Sequence, residues 1–199
     1  MTEVAEDLGR RELSFTRHAL RADDDASWLD QLRQAGIDRF EAVGFPGRSD
    51  EDWRTTHLDA VTRTDFSPTS ETSDSAVRIL LKEHTFGDNA VCELVFINGR
   101  FAAELSKIAD LPKGVRLGNL ADETSSEIVQ ANIGQYAKVE NNPFVALNTG
   151  FIADGAFLFV PRGKAIAQPI HLLFLSQPGA EKPVSHPRVL MVLEDNAEA

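Results

Sequence analysis

The chain has 199 residues, is 42% hydrophobic and 26% charged, and carries a net charge of −11 from 31 acidic against 20 basic residues. That length suggests one domain or two small ones, with enough chain to bury a core. So negative a charge opposes docking on anionic membranes and disfavours a dedicated nucleic-acid surface, which needs clustered Lys and Arg.

The first residues, Met1-Thr2-Glu3-Val4-Ala5-Glu6-Asp7, are acidic and lack the basic-then-apolar build of a signal peptide. Apolar runs such as Leu172-Leu173-Phe174-Leu175 are far shorter than a membrane span. The expectation is a cytoplasmic protein. Residues 1–25 read as a mobile, charged arm with a short helix near Leu13–Leu20. Residues 26–86 read as helical. Ser27-x-x-Asp30 forms a capping box for a helix whose stripe is Leu29, Leu32, Gly36, Phe40 and Val43, stopped by Gly44 and Pro46. Ser49-x-x-Asp52 opens a second helix carrying Trp53, His57, Ala60 and Val61 on one side. Residues 64–75 are a linker rich in Ser, Thr, Asp and Pro. Asp74 caps a third helix with Val77, Leu80, Leu81 and His84 inward.

Residues 87–154 mix a hairpin and helices. A strand over 91–97 meets Asn98-Gly99, the strongest short hairpin signal, and returns over 100–105. A helix is expected over 122–138 with Val129, Ile133 and Tyr136 aligned. Asn142-Pro143 starts another, with Phe144, Leu147 and Phe151 inward. From 155 to 199 the pattern is β: Ala156–Val160, Ile170–Leu175 and Val189–Leu193, punctuated by Pro161-Arg162-Gly163-Lys164 and Pro178-Gly179. Strands apolar on both faces are expected to be buried on both sides, as in a sandwich or the first coils of a β-solenoid. The chain stops directly after a strand with no cap, so it is expected to be truncated, with an edge that favours self-pairing or a homodimer.

Familiar catalytic motifs are missing. Gly150 and Gly155 have P-loop spacing, but Ala156-Phe157 replaces the Lys-Ser/Thr pair. None of His18, His57, His84, His171 and His186 forms a ligand pair, so no metal site is assigned. His57 and His84 read as partly buried, and His171, in an apolar strand, as the histidine with the most perturbed setting. Cys92, the single cysteine, reads as a small core residue beside Glu93 and rules out a disulfide framework. No catalytic or cofactor-binding residue is assigned. Phe45 and Trp53 flank the turn Gly44-Phe45-Pro46-Gly47. They either staple two helices together or, with Arg54, present a patch to a partner.

Gly44-Phe45-Pro46 followed by Glu51-x-Trp53-Arg54-x-Thr56 resembles the N-terminal helical region of the SufD family of iron–sulfur cluster assembly proteins. So do Val95-Phe96-Ile97-Asn98-Gly99-Arg100-Phe101, Pro143-Phe144-x-Ala146-Leu147-Asn148, Phe159-Val160-Pro161 and Pro187-Arg188-Val189-Leu190. The paralogous SufB shares the later segments. The resemblance implies an α+β fold: an N-terminal helical region, a hairpin and helix segment, then the first coils of a right-handed parallel β-helix. It implies a non-catalytic scaffold with SufB-type and SufC-type partners, contacted mostly through parts beyond residue 199. The full complex would carry a transient iron–sulfur cluster, with no cofactor held by this portion. Two alternatives from other classes are a carbohydrate-active β-solenoid with a helical cap and a free-standing binding domain with a groove between helices and β-coils.

Overall fold

The computed structural model describes residues 27–64, 66–68, 74–177 and 182–199. The expected arm, His18, the Ser27 side chain and the Pro178-Gly179 turn lie outside the described residues. Helix α1 spans Ser27–Val43 and buries Leu29, Ile37 and Phe40. Val43, expected on that stripe, is exposed, because the helix runs past its support there. Gly44, at φ 65°, donates its N–H to the Phe40 carbonyl at 2.7 Å and closes the helix as expected.

The expected second helix breaks up. Residues 51–53 make one 3₁₀ turn, and α2 is only Asp59–Thr62. The Asp50 carboxylate accepts the Gly47 N–H at 2.7 Å and caps no helix. Arg54-Thr55-Thr56 between the pieces has two β-branched residues and no buried side to extend a helix. His57 therefore sits exposed, taking a hydrogen bond on Nδ1 from Arg48 Nη2 at 2.5 Å. The linker contributes a two-residue strand, β1 (Ser67–Pro68), before α3 (Asp74–His84). Val77 is buried and Leu80 and Leu81 half-buried, but His84 in the last turn is exposed, correcting its inward assignment.

Strand β2 (Cys92–Ile97) turns through Asn98 and Gly99, at φ 49° and 82°, as the hairpin signal requires. The return strand β3 is only Arg100–Phe101, and a 3₁₀ turn over 103–105 replaces the rest. A strand with no sequence expectation, β4 (Arg116–Asn119), follows. The expected helix over 122–138 shrinks to a 3₁₀ turn at 121–123 and α4 (Glu127–Asn132). Gly134, at φ 78° against Leu32, turns the chain, and Tyr136 is left 79% exposed.

Helix α5 spans Pro143–Gly150. Asn142 Oδ1 caps it, accepting the N–H groups of Phe144 at 2.8 Å and Val145 at 3.4 Å. Asn142→Ala is expected to lower stability by about 1 kcal/mol, read from the urea midpoint; an unchanged midpoint would contradict the cap. Helices α1 and α5 cross with backbones nearly touching. A Cβ on Gly36 would lie 2.5 Å from the Gly150 nitrogen and 2.7 Å from the Ala146 carbonyl oxygen. Arg33, buried, extends the joint by donating from Nε to the Ile152 carbonyl at 2.9 Å.

The remaining strands are β5 (Ala156–Val160), β6 (Ile170–Leu175), β7 (Pro183–Val184) and β8 (Leu190–Leu193). They build two three-stranded sheets, ordered β3-β2-β6 and β4-β5-β8, and a two-stranded pair β1-β7. Pairs β2–β6, β5–β8 and β1–β7 are parallel; β2–β3 and β4–β5 are antiparallel. The two larger sheets share an apolar interior of Cys92, Leu94, Phe96, Ala156, Leu158 and Val160. The outer side of β2–β6 packs under Val77, Leu80 and Leu81 of α3, and Phe157 of β5 under Leu29 of α1.

Candidate functional site

Three places could carry function: the aromatic turn after α1, the polar joints under β5 and β6, and one open end of the two sheets. At the first, Phe45 meets Phe40 edge-on with ring centroids 4.9 Å apart, and Phe144 at 5.7 Å. Trp53 also meets Phe144, with ring centroids 5.0 Å apart. These rings tie the turn to the start of α5, with Phe45 and Trp53 half-buried and Arg54 exposed beside them. Part of Trp53 and the Arg54 side chain remain open to water.

The second place joins His171 and Cys92, named from the sequence, to Asp154, which sequence reasoning did not single out. Asp154 is buried, and its carboxylate accepts three N–H groups: Phe101 at 2.9 Å, Ala121 at 3.2 Å and Gly155 at 2.8 Å. One side chain thus pins the hairpin, the segment after β4 and the start of β5. Arg188 donates from Nε to Asn148 Oδ1 at 2.7 Å and from Nη2 to Thr149 Oγ1 at 2.8 Å, fastening the segment before β8 to α5. Burial pulls its guanidinium below the ordinary arginine value. His171 is half-buried and its Nδ1 lies 2.7 Å from Glu93 Oε2. At Glu93 burial pushes the carboxyl up, but hydrogen bonds from His171, Thr85 and the Phe86 N–H, with the His171 charge, outweigh burial and hold it below 4.5. Cys92 is fully buried, and its Sγ accepts the Ala109 N–H at 3.3 Å. Among the described residues no group of three or more His, Cys, Asp or Glu could hold a metal ion. Likewise no described helix is long and apolar enough to cross a membrane.

The third place is apolar. Strands β6 and β8 are edges of their sheets. Between them opens a groove of about 160 Å³ lined by Leu117, Leu158, Ile170, Leu172, Val189 and Met191. Met191 is 52% and Leu193 44% exposed, and Phe174 and Val189 are also exposed, so β8 is not buried on both faces as its composition implied. Such an end, with free backbone groups beside apolar side chains, favours pairing with another strand. The weight-average mass of the isolated chain from light scattering is therefore expected to rise with concentration, and Met191→Lys to suppress the rise. A mass independent of concentration would contradict this.

Residues 12–172 match the family model described as the SufBD protein N-terminal region. The chain is 30% identical over 202 residues to an iron–sulfur cluster assembly SufBD family protein of Synechocystis, covering 99% of this chain and 42% of that one. It is 27% identical over 179 residues to the chloroplastic protein ABCI7 of Arabidopsis thaliana, covering 85% of this chain and 36% of that one. The chain thus spans about two fifths of the length of these relatives.

Proposed function

The chain belongs to the SufBD family, and from that premise we propose that it is the N-terminal portion of a SufD-type scaffold for iron–sulfur cluster assembly, without catalytic activity of its own. The family match carries the reading. The protein works with SufB-type and SufC-type subunits in a cytoplasmic complex, and the nascent cluster is cargo handled elsewhere in that assembly. The helices and aromatic turn form a headpiece in which Phe45, Trp53 and Arg54 are the candidate partner contact, and the strands begin a right-handed parallel β-helix.

Two features support the coil. Strands β5, β6 and β7 follow one another along the chain, and each has a parallel neighbour on its own sheet. The register is also constant: Phe157 faces Leu190, Val160 faces Leu193 and Ala165 faces Glu198, each thirty-three positions later. The Ile166 N–H donates to the Glu198 carbonyl at 3.0 Å and the Glu198 N–H to the Lys164 carbonyl at 2.9 Å, so the second pass follows the first around the corner. The SufB paralogue is the competing assignment. The carbohydrate-active reading loses ground because the groove is lined by aliphatic side chains and not by acids.

Co-purification tests the proposal. The chain is expected to show no ATP hydrolysis and to form no stable complex with a SufC-type ATPase, whereas a longer family member does. A tight complex through these residues would overturn the placement of that contact. Turnover of a polyuronide would replace the scaffold reading altogether.

A further inference from the structure

One carboxylate fastens the end of α3. Glu93 on β2 accepts Thr85 Oγ1 at 2.8 Å to each oxygen, the Phe86 N–H at 3.1 Å and His171 Nδ1 at 2.7 Å. His171 lies opposite Glu93 in the parallel ladder. The Phe86 ring stacks on its imidazole, with 4.0 Å between centroids and 16° between planes. We propose that Glu93 is an acid-released latch, holding residues 85–89 and the Phe86 ring over the outer face of the edge strand β6.

The division of labour along α3 supports this. Its body is held by apolar contacts of Val77, Leu80 and Leu81 with Val95, Leu173 and Leu175. Its end has little such support, since Phe86 is half exposed. Breaking the polar cluster therefore loosens the end and leaves the body in place, a local opening. The cluster needs the ionised carboxylate. A neutral carboxyl must place a proton of its own and loses the charge that strengthens bonds from the three donors. The other ionisable groups with described side chains on α3 and the neighbouring segments are Arg78, Lys82, Glu83 and His84 of α3, Asp88 in the next turn and Lys107 in the segment paired with Glu93. All six are exposed and screened by water, so the response rests on the Glu93 carboxylate. Because the native carboxyl sits below its ordinary value, the latch is closed at neutral pH and opens as pH falls through the native value, below 4.5. Opening lifts Phe86 from His171 and bares β6 at that residue, while Leu173 and Leu175 stay covered by the body of α3.

Hydrogen exchange of the full chain, corrected for the intrinsic effect of pH, tests the latch. At pH 7, Glu93→Gln is expected to speed exchange over residues 85–89 about tenfold or more, the loss of hydrogen bonds to a charged group. Amides of Leu80 and Leu81 should be unchanged. The wild type should reach the variant's rate only in acid. Equal protection at pH 7, or an acid response that persists in Glu93→Gln, would overturn the proposal. Thr85→Val, an exposed site, gives a second reading if the first variant does not fold. Removing a donor to the ionised form should raise the pH at which the segment opens, and an unmoved opening pH also rejects the latch.

Discussion

Gly155→Ala is expected to cost more than about 4 kcal/mol, the range reserved for changes the fold cannot absorb. Gly155 has φ 153°, a conformation open to glycine, and an added Cβ would fall 1.8 Å from the Arg188 carbonyl oxygen. That oxygen belongs to backbone, so no side-chain rotation relieves the clash. Moving the chain at Arg188 would break its N–H bond to the Asp154 carbonyl at 3.2 Å and its side-chain bonds to Asn148 and Thr149. The substitution therefore attacks the joint between β5, β8 and α5 at once. Since domains are stable by only about 5–15 kcal/mol, most of the variant should be insoluble, or unfold at a much lower urea concentration. A midpoint close to the wild type would show that the approach of the two segments is not needed.

Gly36→Ala should lose about 1–3 kcal/mol, the range for overpacking a tight contact. The sign is informative. At an ordinary site inside a helix, replacing glycine by alanine gains up to about 1 kcal/mol. Here the new methyl would meet the backbone of α5 at 2.5 and 2.7 Å, and Gly150 cannot yield because Ile37 lies 2.9 Å from its own Cβ position. Sterics outweigh propensity. The exposed Ala42 on the same helix is the control: Ala42→Gly should lose about 1 kcal/mol from propensity alone. If Gly36→Ala raises the thermal midpoint, the helices are not in backbone contact.

Local chemistry made much of the fold readable. Asn98-Gly99, Asn142-Pro143 and Gly44 act through their immediate neighbours, and each turn or cap is where its residues imply. The strands beginning near 92, 156, 170 and 190 were visible because short continuous apolar runs bounded by turn residues mark strands. Long-range causes were not readable. Gly36 looks like a weak helix position until α5 is placed across it. The P-loop-like spacing of Gly150 and Gly155 reflects two separate close approaches, one to α1 and one to Arg188. Strand β4, with glycine and arginine among four residues, exists because β5 offers it a ladder. His57 and His84 were misplaced because a periodic stripe does not reveal where a helix ends. Asp154 carried a weak signal, a lone acid directly before glycine and an apolar run, but its three donors come from distant segments. Phe45 and Trp53, read together in the sequence, both contact the Phe144 ring, a long-range partner that the sequence does not point to.

The sheets run antiparallel where β3 and β4 close them and parallel where β6 and β8 follow. That asymmetry gives the molecule an arrow. As a ribosome releases the chain, hairpin and helices can settle first, and every later strand lands on a template already in place. Synthesis and stacking then advance in the same direction, and the nascent protein never has to search for a partner on both sides at once.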